Sequence, residues 1–510
     1  MAKVCLCLTG KTVWRNLQII EKYREYIDMV ELRVDCLEDS ERLNIRPFPE
    51  QANLPVLLTI RRKQDGGFWQ GGESARIIRF AKALAFAQAD QRCNFSYIDI
   101  EEDVNVPSIE EAARAFGTRI IRSFHDFHGT DSGLTARMRS LRRFGDEIVK
   151  AAVTPANLLD VLRVWRTSRE LQGVEKILVS MGYTGICTRV LAERFGSYLT
   201  FTSIKGESDF PQAGNGQLDP RELIELYHFR RLTEKTDILG ITGFPLKVTD
   251  SPRIHNTIYN NEHSNAVYLP FPAESLASFL VFADEFGVRG ASVTVPHKET
   301  VLPHLVYMSE DVKQIGACNT IVRGENGWYG YNTDAGGFES SILALIAGAE
   351  GETDGSHPVN PQAIQAARRA VKGKRFSIIG AGGAARAIVN VMHRLKTKAL
   401  ILNRTLSNAK TLASRYGFQW GGLDESGVKM ALRYNDIIIQ STSAGMEGSP
   451  QSDPFPLYDF SGHEIVYDIV YKPQRTEFLK RAEKAGCKVS NGMDMLDRQA
   501  AAQHQLFFGG

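Results

Sequence analysis

Eight short apolar runs punctuate the first part of the chain: VCLCLTG, MVELRVD, VLLTIRR, YIDIEED, RIIRSFHD, EIVKAAV, KILVSMG and YLTFTSI. They are rich in β-branched residues, which suit pleated strands. Amphipathic stretches separate most of them, among them Glu73–Ala89, Pro107–Phe116 and Ala156–Leu171. Strand–helix alternation of this kind predicts parallel strands joined by crossover helices, and eight units in about 230 residues is the size of a (β/α)8 barrel. The pattern breaks at RRLTEKTD, Arg230–Asp237, a polar stretch that reads as a linker. A new strand is expected at Ile238–Thr242, followed by α/β alternation to about Ala347 and a surface loop over Gly348–Pro361. Then KRFSIIGAGGAARAIV reads as an apolar strand, a glycine turn and a helix.

Length and composition narrow the picture. A chain of 510 residues suggests about three domains. Hydrophobic residues make up 43% and charged residues 24%, with a net charge of +2, so no nucleic-acid or membrane partner is expected. No apolar run is long enough to span a bilayer, and MAKVCLCLTG lacks the features of a secretory signal. The seven cysteines are scattered without CxxC spacing, so no metal is expected, and reduced thiols in the cytoplasm are the natural reading.

Functional groups of a (β/α)8 barrel sit at the C-terminal ends of its strands. Here those ends carry Glu31, Arg33, Arg61, Asp99, Glu101, His125, Lys150, Met181 and Arg189. An amine, an imidazole, carboxylates and arginines suit carbonyl chemistry: an amine condenses with a ketone to an iminium, which stabilises a carbanion at the next carbon, and a base removes the proton. VELRVD (30–35), TIRRKQDGG (59–67), SFHDFH (123–128), EIVKAAV (147–153), SMGYTGICTR (180–189) and the LTF of the eighth strand resemble type I 3-dehydroquinate dehydratases over about residues 1–230. The resemblance implies Lys150 as the Schiff-base lysine and His125 as the proton shuttle. It implies Glu31, Arg33, Arg61, Arg189 and Gln217 as substrate ligands. Asp65 stands where glutamate is usual and takes the role of orienting His125, while Ala213 stands where serine is usual in the final loop, ESDFPQAGNGQL (207–218). Asp99 and Glu101 are read as strand-end structure without a catalytic role.

In the second part, IIGAGGAARA (378–387) has the strand–glycine turn–helix context of a dinucleotide site, whose backbone amides and helix N-terminus receive a pyrophosphate. The next strand ends in Asn403-Arg404-Thr405, and an arginine there accommodates the 2′-phosphate of NADP. ITGFPLKVTDSP (241–252), SVTVPHK (292–298), GACNTI (316–321), GYNTDAGGF (330–338), STSAGM (441–446), YDIVYKP (467–473) and NGMDMLDRQAA (491–501) resemble shikimate dehydrogenase over about 238–508. The resemblance implies Lys298 and Asp334 as the catalytic pair. Thr249, Ser251, Thr294, Asn319, Thr333, Tyr471 and Gln499 become the substrate contacts, with Thr249 where serine is usual and Ser292 where asparagine is usual. Gly380, Ala381, Gly382, Gly383, Ala384, Asn403, Arg404, Thr405, Thr442 and Gly492 become the NADP(H) site.

The expected architecture is therefore α/β throughout. Residues 1–232 form a (β/α)8 barrel, fused to a two-domain α/β dehydrogenase. Its substrate domain spans 237–347 and 490–510, and a C-terminal Rossmann-like NADP domain spans 362–489. The two resemblances concern consecutive steps, from 3-dehydroquinate through 3-dehydroshikimate to shikimate, so the partners expected are those small molecules; oligomeric state is left open. Rival readings are a chain with only the dehydrogenase half active, a quinate-directed paralogue using NAD, and a dinucleotide sensor that binds without turnover.

Overall fold

The computed structural model describes residues 1–85, 87–246, 249–348, 361–449 and 452–509. The chain divides into two compact units, Met1–Ile241 with His255–Val288, and Thr242–Ile254 with Arg289–Gly510. Most of the segment read as a surface loop, 349–360, lies outside the described residues.

The first unit contains eight parallel strands: β1 (Lys3–Leu8), β2 (Met29–Arg33), β3 (Val56–Thr59), β4 (Tyr97–Glu101), β5 (Arg119–Asp126), β6 (Ile148–Val153), β7 (Lys176–Ser180) and β8 (Leu199–Thr202). Their order is β7-β6-β5-β4-β3-β2-β1-β8. A parallel bridge from Lys176 to Ser197 and a 2.7 Å bond from Tyr198 N to Lys176 O bring the two outer strands together into a (β/α)8 barrel. The helices agree with the expected ones but start late, as at Leu158–Glu170, or stop early, as at Glu73–Leu84, where Ala85 turns to extended backbone.

Side chains two apart on a strand share a face, and this period builds the mouth. Met29, Leu57, Tyr97, Ile121, Ile148, Ile177 and Leu199 pack with Cys5 and Cys7 inside the barrel. Two residues further along the same strands come Glu31, Thr59, Asp99, Ser123 and Lys150, all buried. Another two bring Arg33, Arg61, Glu101 and His125. The interior therefore changes from apolar to ionic within one turn of the pleat, toward the C-terminal strand ends.

The stretch read as a linker is tied to the barrel. Phe229–Arg231 forms a 3₁₀ turn, and Arg230 pairs with Asp28 at 2.8 Å. Strands β9 (Asp237–Gly243) and β10 (Ala266–Pro272) then lie side by side.

In the second unit, β11 (Val288–Val293) runs antiparallel to β13 (Thr320–Gly324), which is antiparallel to β14 (Gly327–Tyr331); β12 (Leu305–Met308) is parallel to β14. Strands β15 (Arg375–Ile379), β16 (Lys398–Leu402), β17 (Gln419–Gly421), β18 (Ile437–Gln440), β19 (Ile465–Asp468) and β20 (Lys488–Ser490) form a parallel sheet in the order β17-β16-β15-β18-β19-β20. That is the doubly wound Rossmann order, with its switch point between β15 and β18, where ligands bind at the strand C-termini. The helix Met493–Phe508 packs on the helix Asp334–Ala347 at Gly337, where a Cβ would come within 3.0 Å of the Met495 carbonyl oxygen. This close approach carries Gln499 to the other lobe.

Candidate active sites

At the barrel mouth Lys150 Nζ donates to Asp99 Oδ2 at 2.8 Å, and the same oxygen pairs with Arg61 Nη2 at 2.8 Å. The other Asp99 oxygen accepts from Ser123 Oγ at 2.5 Å. Burial alone would raise the Asp99 carboxyl, but Arg61 and Lys150 outweigh it and hold it far below the usual carboxylate range. Glu101 bridges Arg61 and Arg76, both at 2.8 Å. Asp35 clamps Arg33 through two bonds of 3.0 and 2.7 Å. Glu31 accepts from Thr59 Oγ1 at 2.8 Å.

Arg189 differs from these arginines. It is buried and pairs with no carboxylate among the described residues; it donates only to the carbonyls of Phe201 and Asn215, at 3.4 and 3.2 Å, and its Nε is without a partner. Burial lowers its pKa to about 10. Gln217 contacts Cys7 Sγ at 3.5 Å through Nε2 and leaves Oε1 unpartnered. Such unsatisfied buried donors and acceptors are what a polar ligand would complete.

His125 stacks on Phe127 with ring centroids 6.2 Å apart, and its Nδ1 has no hydrogen-bond partner. Burial first, then the charges of Arg61 and Lys150, push its pKa well below the ordinary histidine value, so the ring is neutral and can accept a proton. Asp65, expected to orient it, makes no hydrogen bond to it among the described residues. The carboxylate accepts from Arg62 Nε at 2.7 Å, and Arg62 continues to Asp103 at 2.8 Å. The shorter side chain leaves this carboxylate in a surface ion network instead of on the imidazole. Asp99, read as inert strand-end structure, is the residue that sequence reasoning undervalued. The strand period puts it on the inward face of Tyr97, and its contact with Lys150 comes from the barrel's strand stagger.

In the second unit Lys298, on the short helix His297–Thr300, pairs with Asp334 Oδ2. Asp334 is the first residue of its helix, where the backbone dipole favours a negative charge. Its Oδ1 accepts from Asn319 Nδ2 at 2.8 Å, and the same nitrogen reaches Thr333 Oγ1 at 2.9 Å and Gln499 Oε1 at 3.4 Å. Asn319 Oδ1 accepts from Thr333 N at 2.8 Å, which fixes the amide's orientation. Ser292 donates to Gln503 Oε1 at 2.8 Å. Thr294 follows β11 and packs over Gly243. Thr249 and Ser251 share a 3.0 Å hydroxyl bond. Burial raises the Tyr471 phenol, against the opposing pull of the Asp250 backbone and the Thr249 hydroxyl, so it stays a donor.

Beside Lys298, where a Cβ on Gly383 would lie 3.1 Å from the lysine side chain, the turn after β15 has the form of a dinucleotide site. Gly380 directly follows β15 with φ +115, and a Cβ there would strike Ser441 Oγ at 2.6 Å, so the turn requires glycine. Ala381 and Gly382 lead into the helix Gly383–Arg394, whose first turn has no side-chain cap, leaving the amides of Gly383 and Ala384 for an anion. Thr442 follows β18 across the switch point, and Gly492 precedes the last helix. After β16, Asn403 Nδ2 bonds the Thr405 carbonyl at 2.9 Å, and Arg404 is exposed without an ion pair to any described residue. Among the described residues no group of three or more His, Cys, Asp or Glu is placed to hold a metal ion, and no helix is long and apolar enough to cross a membrane.

Fold and sites together define a (β/α)8 barrel enzyme fused to a two-lobed dehydrogenase. Residues 4–234 match the type I 3-dehydroquinase family, 241–321 the shikimate dehydrogenase substrate-binding domain, and 363–447 the shikimate/quinate 5-dehydrogenase family. The bifunctional 3-dehydroquinate dehydratase/shikimate dehydrogenase of Arabidopsis thaliana is 31% identical over 94% of this chain and 78% of its own. The NADP(+) shikimate dehydrogenase of Caldanaerobacter subterraneus is 34% identical over 55% of this chain and 94% of its own. The crystal structure of the Aquifex aeolicus shikimate dehydrogenase is similar over 55% of this chain and 95% of that one, at 30% identity and a TM-score of 0.46. The chain belongs to the bifunctional 3-dehydroquinate dehydratase/shikimate dehydrogenase family.

Proposed function

We propose that the barrel dehydrates 3-dehydroquinate through a Schiff base on Lys150 and that the dehydrogenase reduces the product, 3-dehydroshikimate, to shikimate with NADPH. The observation that carries both halves is a lysine–aspartate pair at each site, Lys150–Asp99 and Lys298–Asp334.

In the barrel, Lys150 Nζ attacks the substrate ketone and releases water, forming an iminium. Neutral His125 removes the proton from the adjacent carbon, and the iminium accommodates the electron pair. The hydroxyl on the next carbon leaves as water with the proton from His125, giving the ring double bond. Hydrolysis of the iminium returns the ketone and frees Lys150. Arg189 receives the substrate carboxylate as its missing counter-charge. Glu31, Arg33, Arg61 and Gln217 line the remainder.

In the dehydrogenase, bound NADPH supplies the hydride for carbonyl reduction. Lys298 hands a proton to the developing alkoxide while Asp334 holds the ammonium in place. Thr249, Ser251, Thr294, Asn319, Thr333, Tyr471 and Gln499 meet the ring's polar groups. Arg404 meets the 2′-phosphate. Residues 1–232 are assigned to the dehydratase, 237–347 with 490–510 to the substrate lobe, and 362–489 to the NADP lobe.

One coupled assay tests the reading. Purified protein given 3-dehydroquinate and NADPH should form 3-dehydroshikimate and consume NADPH. Dehydration without NADPH loss, or turnover only from added 3-dehydroshikimate, reduces the chain to one active half. The engagement of Asp65 with Arg62 makes the dehydratase the half to watch.

A further inference from the structure

Asp250 lies between two of the hydroxyl residues assigned to the substrate, Thr249 and Ser251, and Lys472 directly follows the third, Tyr471. Lys472 Nζ donates to Asp250 Oδ1 at 3.0 Å. Each side of this contact is locally stiff. Thr249 Oγ1 donates to Ser251 Oγ at 3.0 Å and accepts from Ser251 N at 3.2 Å, so the 249–251 segment holds its own shape. On the other side, Asp468 at the end of β19 accepts from Val470 N at 2.9 Å and from Thr476 Oγ1 at 2.7 Å, and Ile469 N bonds Gln440 O at 3.0 Å. The turn bearing Tyr471 and Lys472 is thus pinned to the parallel sheet.

Resting on the dehydrogenase reading above, we infer that Asp250 and Lys472 are positioning residues whose ion pair clasps the 249–251 segment to the turn after β19, and so holds the Thr249, Ser251 and Tyr471 hydroxyls as one donor set for a polyhydroxylated ring acid.

The alternative is an incidental surface pair, and such pairs contribute little to stability. Two observations favour the clasp. The Asp250 side chain is only 14% exposed, against 44% for Lys472, so one partner is fixed and the other closes onto it. Opening the pair also lets the Thr249 and Ser251 hydroxyls shift together relative to Tyr471 on the pinned turn, because each charged residue is covalently next to the hydroxyls it places. Misplacing donors by even an ångström costs binding out of proportion to the pair's own strength. Arg253 stands 3.9 Å from Asp250 and offers a second, weaker cation, so removing Lys472 does not leave the carboxylate bare.

The test uses the full chain and steady-state reduction of 3-dehydroshikimate by NADPH. Lys472→Ala and Asp250→Asn should each raise KM for 3-dehydroshikimate about three- to tenfold, with kcat and KM for NADPH changed less than about twofold. The double variant should be no worse than either single one. The swap Asp250→Lys with Lys472→Asp should recover part of the loss. Raising salt should increase KM in the wild type and leave the double variant nearly flat. Additive effects, or an unchanged KM, overturn the inference while the dehydrogenase reading stands. Losses in NADPH affinity or melting temperature that the swap does not restore assign the pair to the fold and overturn it too. A wild-type protein that does not reduce 3-dehydroshikimate removes the underlying reading and this inference with it.

Discussion

Each half of the molecule places a lysine against an aspartate, yet the two pairs live in different company. Asp99 is shared by Lys150, Arg61 and Ser123, and Arg61 draws on the same oxygen as Lys150. Asp334 serves Lys298 and one neutral amide, Asn319, and stands at a helix N-terminus. A carboxylate shared with a second cation holds its lysine less exclusively, which suits an amine that must attack a carbonyl. A carboxylate with a single charged partner holds that one ammonium in place, which suits a proton donor. The lesson is that the neighbours of a pair, more than the pair itself, assign its chemistry.

The strongest way to break the comparison is to delete each lysine. Lys150→Ala should lower dehydration by about a thousandfold or more and leave reduction intact, and Lys298→Ala should do the converse. Borohydride with 3-dehydroquinate should trap an adduct on Lys150 and none on Lys298. An adduct mapped elsewhere would show that the pairs had been given the wrong roles.

Asp99→Asn comes next. It leaves Lys150 and Arg61 facing each other with one charge fewer, a change that costs about 3–5 kcal/mol when a buried pair is broken. Dehydration should fall about a hundredfold and the barrel's melting temperature should drop, read by calorimetry. Unchanged activity would mean that the sharing of Asp99 is irrelevant to the amine.

In the dehydrogenase, Arg404→Ala should cost about tenfold or more in preference for NADPH over NADH, the worth of one charge-assisted phosphate contact. An unchanged ratio would point to another reader of the phosphate.

The pH dependence sharpens the contrast. His125 has its pKa pushed below the ordinary 6.5, so dehydration should change less than about threefold from pH 8 to 6 and fall only below that. The sign for stability follows: between the two values the unfolded chain binds a proton that the folded one refuses. The neutral ring's contribution is therefore fully present above the ordinary value and is lost progressively as pH falls from there to the lowered folded value. His125→Gln should flatten that part of the stability curve. The smallest effect belongs to Asp65→Asn. Since its carboxylate serves Arg62, dehydration should change by no more than about twofold. A hundredfold loss would mean that Asp65 leaves Arg62 for the imidazole once substrate binds.

Much of this was legible in the sequence. The eight strands followed from β-branched runs at regular spacing, and the Rossmann turn from a glycine run between an apolar strand and a helix. What stayed hidden was pairing. No spacing rule tells that Asp99 meets Lys150 from 51 positions away, because contact across a barrel depends on the stagger of its strands. The Arg62 contact of Asp65 stayed hidden for a related reason. Its position in the motif suggested a partner, but one methylene fewer leaves the carboxylate within reach of Arg62, three residues before it. The polar run at Arg230–Asp237 read as a linker because charge alone cannot reveal that Arg230 has Asp28 waiting.

Arg189, enclosed without a carboxylate partner among the described residues, ties folding to ligand in a way a melting curve can read. The native barrel carries an uncompensated cation, so any anion that seats there stabilises the folded state by mass action. Phosphate or sulfate in a buffer should then act as thermal protectant and as competitive inhibitor at the same concentrations. Heat denaturation of this half becomes a binding isotherm, and the most protective storage buffer for the dehydratase is also the one in which it works worst.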